Sequence, residues 1–422
     1  MSPAPALSLD AARLQAEIDE LAAISEAPAP VVTRVLYSEK DLAARAWLAG
    51  RCRALGLELR TDAVGNTFAH WEGTEPGLPA VATGSHIDAI PNAGRYDGVV
   101  GVLGALEAFR ALRASGFAPR RAIELVVFAA EEPTRFGLGC LGSRMLSGAL
   151  SPEKAAALRD SGGVTLAQWR EGLAAAGYSW AAAPLASAAL PRGCYHAFVE
   201  LHIEQGPILE KEGLDLAVVE KIAAPAAFRY RLTGEGGHAG AVLMPGRHDA
   251  LLAGAEIALA AEKAAKESGS PDTVATTGVF QIGPNAINSI PASALLEIDL
   301  RDTDVAVRER TLRAIEAAAE EACKRRGVTF LEEPINLDPP ALCDAGLRDD
   351  LLRLAREAGL KAVPLVSHAY HDTLFMALLC PVTMLFVPSR GGVSHRPDEY
   401  TSPEETARGA AVLAAALREW AS

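Results

Sequence analysis

Short β-rich runs alternate with helix-patterned ones along the first half of the chain: Ala80 to Ser85, a helix over Val99 to Ala114, then Ala122 to Ala129 and Ala197 to Leu201. This alternation predicts an α/β fold with a mixed, mainly parallel sheet covered by helices, because parallel neighbours need a long crossover between them. From about Ala217 the rhythm changes to strand Phe228–Thr233, helix Arg247–Lys266, strands Thr273–Ile282 and Ala294–Leu300, helix Val305–Arg325 and strand Val328–Glu332. That β-α-β-β-α-β order is the order of a ferredoxin-like α+β module. After Pro339-Pro340 a helix over Leu347 to Ala358 and a strand over Val382–Val387 resume the earlier style. The smaller module is therefore an insertion with hinges near Leu216 and Asn336. Residues 1–216 and 336–422 are expected to form the sheet domain, and 217–335 the inserted one. Helical spacing also runs from Leu9 to Ser25, behind the candidate cap Ser8, and from Glu39 to Leu55. Ser151 to Cys194 is Ala-rich without clean periodicity and yields no assignment.

A chain of 422 residues suits two domains, and half of it is hydrophobic. Its charge of −13, from 53 acidic against 40 basic residues, contains no long run of one sign. That balance argues against a phosphate-binding surface, so nucleic acid is not an expected partner. Met1 to Ala12 carries no basic residue ahead of an apolar stretch, as a secretory signal would. No apolar run approaches the roughly 20 residues that cross a bilayer. Six cysteines, Cys52, Cys140, Cys194, Cys323, Cys343 and Cys380, are scattered without paired spacing. They fit free thiols in a reducing compartment, and a cytoplasmic protein with no membrane partner is expected.

Metal-ligand residue types fall at predicted strand ends or in the loops beyond them, where open α/β sheets place their sites. His86 follows a strand in Gly84-Ser85-His86-Ile87-Asp88, and Asp97 lies where a glycine-rich loop opens a helix. Glu131 and Glu132 close the apolar run Ile123–Ala130; His202 follows Phe198–Leu201; His395 comes after the last strand. Imidazole with carboxylate suits zinc, manganese or cobalt, and one bridging carboxylate would leave each of two ions a His and a further ligand. Of the paired glutamates, one would bind metal while its neighbour takes a proton from water and returns it to a leaving nitrogen. Singly, each residue has an ordinary reading. A lone histidine is more often a hydrogen-bonded core or surface residue, Asp97 before glycine a turn or cap, Asp88 a cap, and Glu131-Glu132 a solvated strand end. Jointly, the set at successive strand ends is not a packing pattern.

Longer strings carry a resemblance. Thr83-Gly84-Ser85-His86-Ile87-Asp88, Tyr96-Asp97-Gly98-Val99, Glu131-Glu132-Pro133 and His202-Ile203-Glu204-Gln205-Gly206-Pro207 resemble the amidase, carbamoylase and allantoate amidohydrolase branch of the dimetal peptidase superfamily. Gly236-Gly237-His238-Ala239-Gly240, Asn288-Ser289-Ile290-Pro291 and Ser394-His395 continue the match over nearly the whole chain. Pro30 to Tyr37, Ile87-Asp88-Ala89-Ile90-Pro91 and Ala369-Tyr370-His371-Asp372 are similar to the ureidoglycolate amidohydrolase group within it. Tyr370 stands where most carbamoylases and allantoate enzymes have glycine. His368 departs from the arginine of the plant members.

The resemblance implies a hydrolase of non-peptide C–N bonds that takes S-ureidoglycolate to glyoxylate, ammonia and carbon dioxide. His86, Asp97, Glu132, His202 and His395 would hold two divalent ions, Mn2+ or Zn2+, with Asp97 bridging and Glu131 as general acid/base. The inserted module would act as a lid and pair two subunits into a homodimer. Its His238 would face the tetrahedral oxygen, and Asn288 and Arg301 the acid end. Gln205, Tyr370 and His371 resemble further substrate-facing positions. A guanidinium can grip a carboxylate through two parallel hydrogen bonds; the ordinary reading of Arg301 is a surface ion pair with Asp299, Asp302 or Asp304. His238 among glycines could be a turn residue, and Tyr370 core packing. The rival activities are N-carbamoyl-L-amino-acid hydrolysis and allantoate hydrolysis on the same site. A non-catalytic binding protein of the same fold is a further alternative.

Overall fold

The computed structural model describes Leu7 and residues 9–422. The chain divides into two compact units. One holds the described residues through Glu220 with Leu342–Leu365 and His371–Ser422; the other holds Lys221–Ala341 with Val366–Tyr370.

In the first unit, four parallel strands occupy the middle of a nine-stranded sheet, in the order Val382–Val387, Tyr195–Ile203, Ala80–His86, Ile123–Phe128. Antiparallel strands flank them: Thr67–Trp71 and Glu58–Thr61 on one side, Leu216–Ile222 on the other. Side chains alternate between two buried faces, as a sheet covered on both sides requires. Val81, Leu125, Val199 and Leu385 join a core with Leu103 and Phe109 of helix Val99–Ala114 and Leu413 and Leu417 of helix Pro403–Trp420. Ala82, Val126 and Phe198 face the opposite core, with Phe68, Phe128 and Met376. Phe198 is fully buried, and truncating such a side chain to alanine costs about 3–5 kcal/mol.

The first helix is Ala11–Ala22, shorter than the pattern from Leu9 to Ser25, and the Asp10 side chain caps it by accepting the Arg13 N–H at 2.9 Å. Ser8, the cap expected from sequence, lies outside the described residues. Beyond that helix the buried guanidinium of Arg34 donates to the carbonyls of Leu21 (2.6 Å), Ile24 (3.0 Å) and Ile87 (2.6 Å). It thus ties the helix end to the turn after His86. Burial without a contacting carboxylate lowers this guanidinium to about 10. Ser151 to Cys194, unassigned from sequence, contains helices Pro152–Ala157 and Leu166–Ala175 and two 3-10 turns. They cover a separate small core that includes Leu36, Tyr37 and Leu141.

The second unit is a four-stranded antiparallel sheet in the order Val274–Gly283, Ser293–Asp302, Ala224–Thr233, Thr329–Leu337. Alternate residues Ala294, Leu296, Ile298 and Leu300 pack with Ile257 of helix Ala250–Lys266 and Ile315 of helix Val305–Arg326. The β-α-β-β-α-β order is present, with strand ends a few residues beyond those expected. Among the described residues no helix is long and apolar enough to cross a membrane. The six cysteines are unpaired.

Candidate metal centre and active site

The parallel strands bring their C-terminal ends together in the first unit. His86 ends Ala80–His86, and His202 lies near the end of the neighbouring Tyr195–Ile203. His202 thus falls within a strand that was expected to stop at Leu201. Strand Ile123–Phe128 stops before the apolar pattern does, because Ala130 turns to a φ of 51°. Glu131 and Glu132 therefore lie in the loop beyond it. Their backbone N–H groups donate to the two oxygens of one carboxylate, Glu131 to Asp88 Oδ1 at 3.3 Å and Glu132 to Oδ2 at 3.1 Å. Asp88 is a brace for the glutamate pair, more than the helix cap that its sequence context suggests.

Asp97 stands between two groups. Its Oδ1 lies 3.1 Å from His202 Nε2 and 3.7 Å from His86 Nε2. Its Oδ2 lies 3.1 Å from His395 Nε2, which is 3.4 Å from Glu132 Oε1. Ligand-type atoms of His86, Asp97 and His202 all fall within 4.8 Å of one another, and so do those of Asp97, Glu132 and His395. One carboxylate is thus common to two three-residue groups. Glu200, His202 and His371 form a third such group. The Glu200 carboxylate, however, accepts from Ser85 Oγ at 2.7 Å and Thr373 Oγ1 at 2.5 Å, so its oxygens belong to the scaffold.

The donor set fits divalent cations. His86 Nδ1 lies 3.1 Å from the Asp88 carbonyl and His202 Nδ1 2.9 Å from that of Ile203. A carbonyl only accepts, so these contacts place a proton on Nδ1 of each ring and turn each Nε2 toward Asp97. Gly98 has a φ of 68°, and a Cβ there would collide with the His86 ring, so the turn after Asp97 needs glycine. Oxygen and imidazole nitrogen suit zinc or manganese.

Burial and mutual charge shift the acidities of the clustered groups. Burial opposes ionisation of Asp97, yet hydrogen bonds from His202 and His395 hold its carboxyl well below the ordinary range. Burial, reinforced by the Asp97 charge, pushes Glu132 up to about 7. Burial also pushes Glu131 well above the usual carboxylate range, with Glu132 and Asp372 adding to it and His86 opposing. His395 is raised to about 9, chiefly by its hydrogen bond to Asp97. Glu131 Oε2 lies 3.8 Å from His86 Nε2, and its Oε1 takes a weak hydrogen bond from Cys140 Sγ at 3.6 Å.

The residues expected to face substrate fall in both units. In the first, Gln205 Nε2 donates to Asp97 Oδ2 at 2.9 Å, while its Oε1 is buried with no hydrogen-bond partner. His371 is buried, its ring 4.6 Å from that of His202 and edge-on to it. In the second unit, His238 Nδ1 accepts the Gly240 N–H at 3.1 Å, which leaves Nε2 as the protonated nitrogen. Asn288 accepts the Ala239 N–H at its carbonyl. Arg301 closes a fork on Asp299, at 3.0 and 2.8 Å, and donates to the His368 carbonyl at 3.1 Å. The ordinary ion pair is thus present. Tyr370 lies 5.5 Å from the Arg301 guanidinium, and His368 Nε2 is 3.1 Å from Asp272.

The sequence profile of peptidase family M20/M25/M40 matches residues 82–419, which span His86 to His395. The chain belongs to this family. Within it, the chain is 52% identical over 410 residues to the ureidoglycolate hydrolase of Oryza sativa subsp. japonica, covering 97% of this chain and 84% of the other. It is 52% identical over 420 residues to the ureidoglycolate hydrolase of Arabidopsis thaliana, covering 98% and 87%. The crystal structure of AtUAH in complex with glyoxylate superposes with a TM-score of 0.91 at 50% identity, with 99% of each chain covered. That of AtUAH with (S)-hydroxyglycine gives 0.90 at 50% identity, again with 99% of each chain covered.

One buried carboxylate next to Asp97 stands in no distinctive local string. Glu399 is buried beside Asp97, and burial, reinforced by the Asp97 charge, pushes its carboxyl up to about 7. It lies 302 residues from Asp97 along the chain, so no local spacing connects the two.

Proposed function

We propose that the chain is a metal-dependent amidohydrolase that cleaves the ureido C–N bond of S-ureidoglycolate. The observation that carries this reading is the sharing of Asp97 by two ligand groups with Glu131 beside them, in a chain half identical to ureidoglycolate hydrolases. Asp97, His86 and His202 would hold one divalent ion, and Asp97, Glu132 and His395 the other. Such ions, manganese or zinc, polarise the ureido carbonyl and acidify water when bound. Glu131 then takes a proton from water and returns it to the nitrogen as the C–N bond breaks, a role commonly worth about 10²–10⁴ in rate. The unpartnered Gln205 Oε1 is an acceptor for a ureido N–H, and the protonated His238 Nε2 is a donor for the oxyanion. Asn288 and Arg301 are the proposed partners of the acid end, and Tyr370 and His371 are further proposed substrate contacts. Water adds to the carbonyl, giving a carbamate that decays to carbon dioxide and ammonia, and hydroxyglycine, which releases ammonia to leave glyoxylate. Glyoxylate and (S)-hydroxyglycine are the molecules bound in the two AtUAH crystal structures.

The second unit serves as lid and as homodimer contact. Strand Val274–Gly283 is an edge of its sheet, and exposed Leu252, Leu259, Val274 and Phe280 support pairing there. Six free thiols fit a cytoplasmic setting. Turnover of S-ureidoglycolate, allantoate and an N-carbamoyl amino acid by metal-stripped protein refilled with manganese or zinc tests the assignment. Metal-dependent glyoxylate release from ureidoglycolate ahead of the other two is expected. Preference for a carbamoyl amino acid would keep the mechanism and overturn the substrate.

A further inference from the structure

We propose that Glu399 is a positioning residue that assembles the Glu132/His395 half of the metal centre, by clamping the Asp97 loop to the His395 loop. The inference rests on the reading that the two groups sharing Asp97 each hold an ion.

The two halves are built differently. His86 and His202 have side chains 2% and 1% exposed, each fixed by a backbone carbonyl at Nδ1. His395 is 47% exposed at its side chain, sits at a φ of 59°, and meets Asp97 and Glu132 through Nε2. Its placement therefore depends on where its loop is held.

Glu399 holds it. One oxygen, Oε1, accepts the backbone N–H groups of Tyr96 at 2.8 Å and Asp97 at 3.1 Å. The other, Oε2, accepts Ser394 Oγ at 3.0 Å, from the residue preceding His395. Ser394 Oγ also lies 3.1 Å from Asp97 Oδ2, the oxygen facing His395, and 3.2 Å from Gln205 Nε2. Glu399 is 4% exposed, and a Cβ on Gly94 would collide with its side chain, so the two loops are in direct contact. Ring packing of Tyr96 on Tyr400, with centroids 5.8 Å apart, closes the same seam. Both oxygens of Glu399 are occupied by the scaffold, which makes it a brace rather than a sixth ligand. Partners of this kind orient ligands, and their loss typically weakens metal affinity about 10–100-fold.

The test is calorimetric titration of the chelator-stripped full chain with zinc or manganese, with bound ions counted. Wild type should take up two ions per chain with unequal affinity. Glu399→Ala should weaken the second event about 10–100-fold and leave the first unchanged. Glu399→Gln keeps an oxygen for the two backbone N–H groups but cannot accept from Ser394, and should fall between. Ser394→Ala should weaken the same event, so the test survives if Glu399→Ala does not fold. Melting temperatures of the stripped variants report on folding separately. Two ions bound with wild-type affinities in all three variants, or both events weakened alike, would overturn the clamp. Uptake of fewer than two ions by wild type would instead remove the two-ion reading itself, and the clamp with it.

Discussion

Ionisable groups meet opposite fates in the two compact units. In the first, Asp97, Glu131 and Glu132 are buried within reach of three imidazoles, and burial with mutual repulsion drives both glutamates upward. In the second, Arg301 is closed on Asp299 through a two-bond fork, and His238 already has its Nδ1 occupied by the Gly240 N–H. The first arrangement crowds carboxylates whose charges oppose one another; the second pairs each of these groups with a local partner. On the proposed reading, metal chemistry belongs to the first unit, and His238 and Arg301 of the second are proposed only for recognition.

Substitutions that separate the two roles should differ in kind. The largest effect is expected for Asp97→Ala, which removes the carboxylate common to both ligand groups: ion uptake and turnover should both vanish, and a variant that still bound two ions would break the shared-ligand geometry. Glu131→Gln should keep both ions and the fold while kcat falls by about 10²–10⁴. Steady-state rates beside elemental analysis decide this, and near-wild-type kcat would take proton transfer away from Glu131.

In the second unit, Arg301→Lys should raise KM for ureidoglycolate about tenfold, the equivalent of one charge-assisted hydrogen bond. Its kcat and melting temperature should barely move, and an unchanged KM would count against acid binding there. The smallest effect belongs to a histidine–carboxylate pair of the first unit that serves structure alone. His70 Nδ1 lies 3.3 Å from Glu124 Oε1, and that hydrogen bond raises the imidazole above its ordinary value against the cost of burial. A raised histidine contributes stability that is full below the unfolded value of about 6.5 and fades as pH climbs through the folded one. His70→Gln should therefore be less stable than wild type in acid, with the gap closing toward alkaline pH. A gap that widens with pH in urea denaturation would contradict this.

Regular elements were legible wherever burial has a simple period. Helix Val99–Ala114 and strand Val382–Val387 occupy the residues expected of them. Strand Tyr195–Ile203 was foreseen only over Ala197 to Leu201, across Glu200 but stopping short of His202. Both are buried, and the Glu200 carboxylate is satisfied by Ser85 and Thr373, contacts that arise only after folding. The segment from Ser151 to Cys194 resisted assignment because its helices are short and cover a small separate core. The ligand-type residues stood out because each sits in a distinctive local string. Glu399 did not, since its meaning lies in backbone N–H groups 302 and 303 residues away.

Ureidoglycolate cleavage is proposed to depend on two cations gathered around Asp97. Its most direct test is ureidoglycolate turnover by stripped protein, followed as manganese or zinc is returned and bound ions are counted. No turnover is expected without metal, with a plateau near about two ions per chain. Full turnover by the stripped protein, or a plateau at one ion, would contradict it.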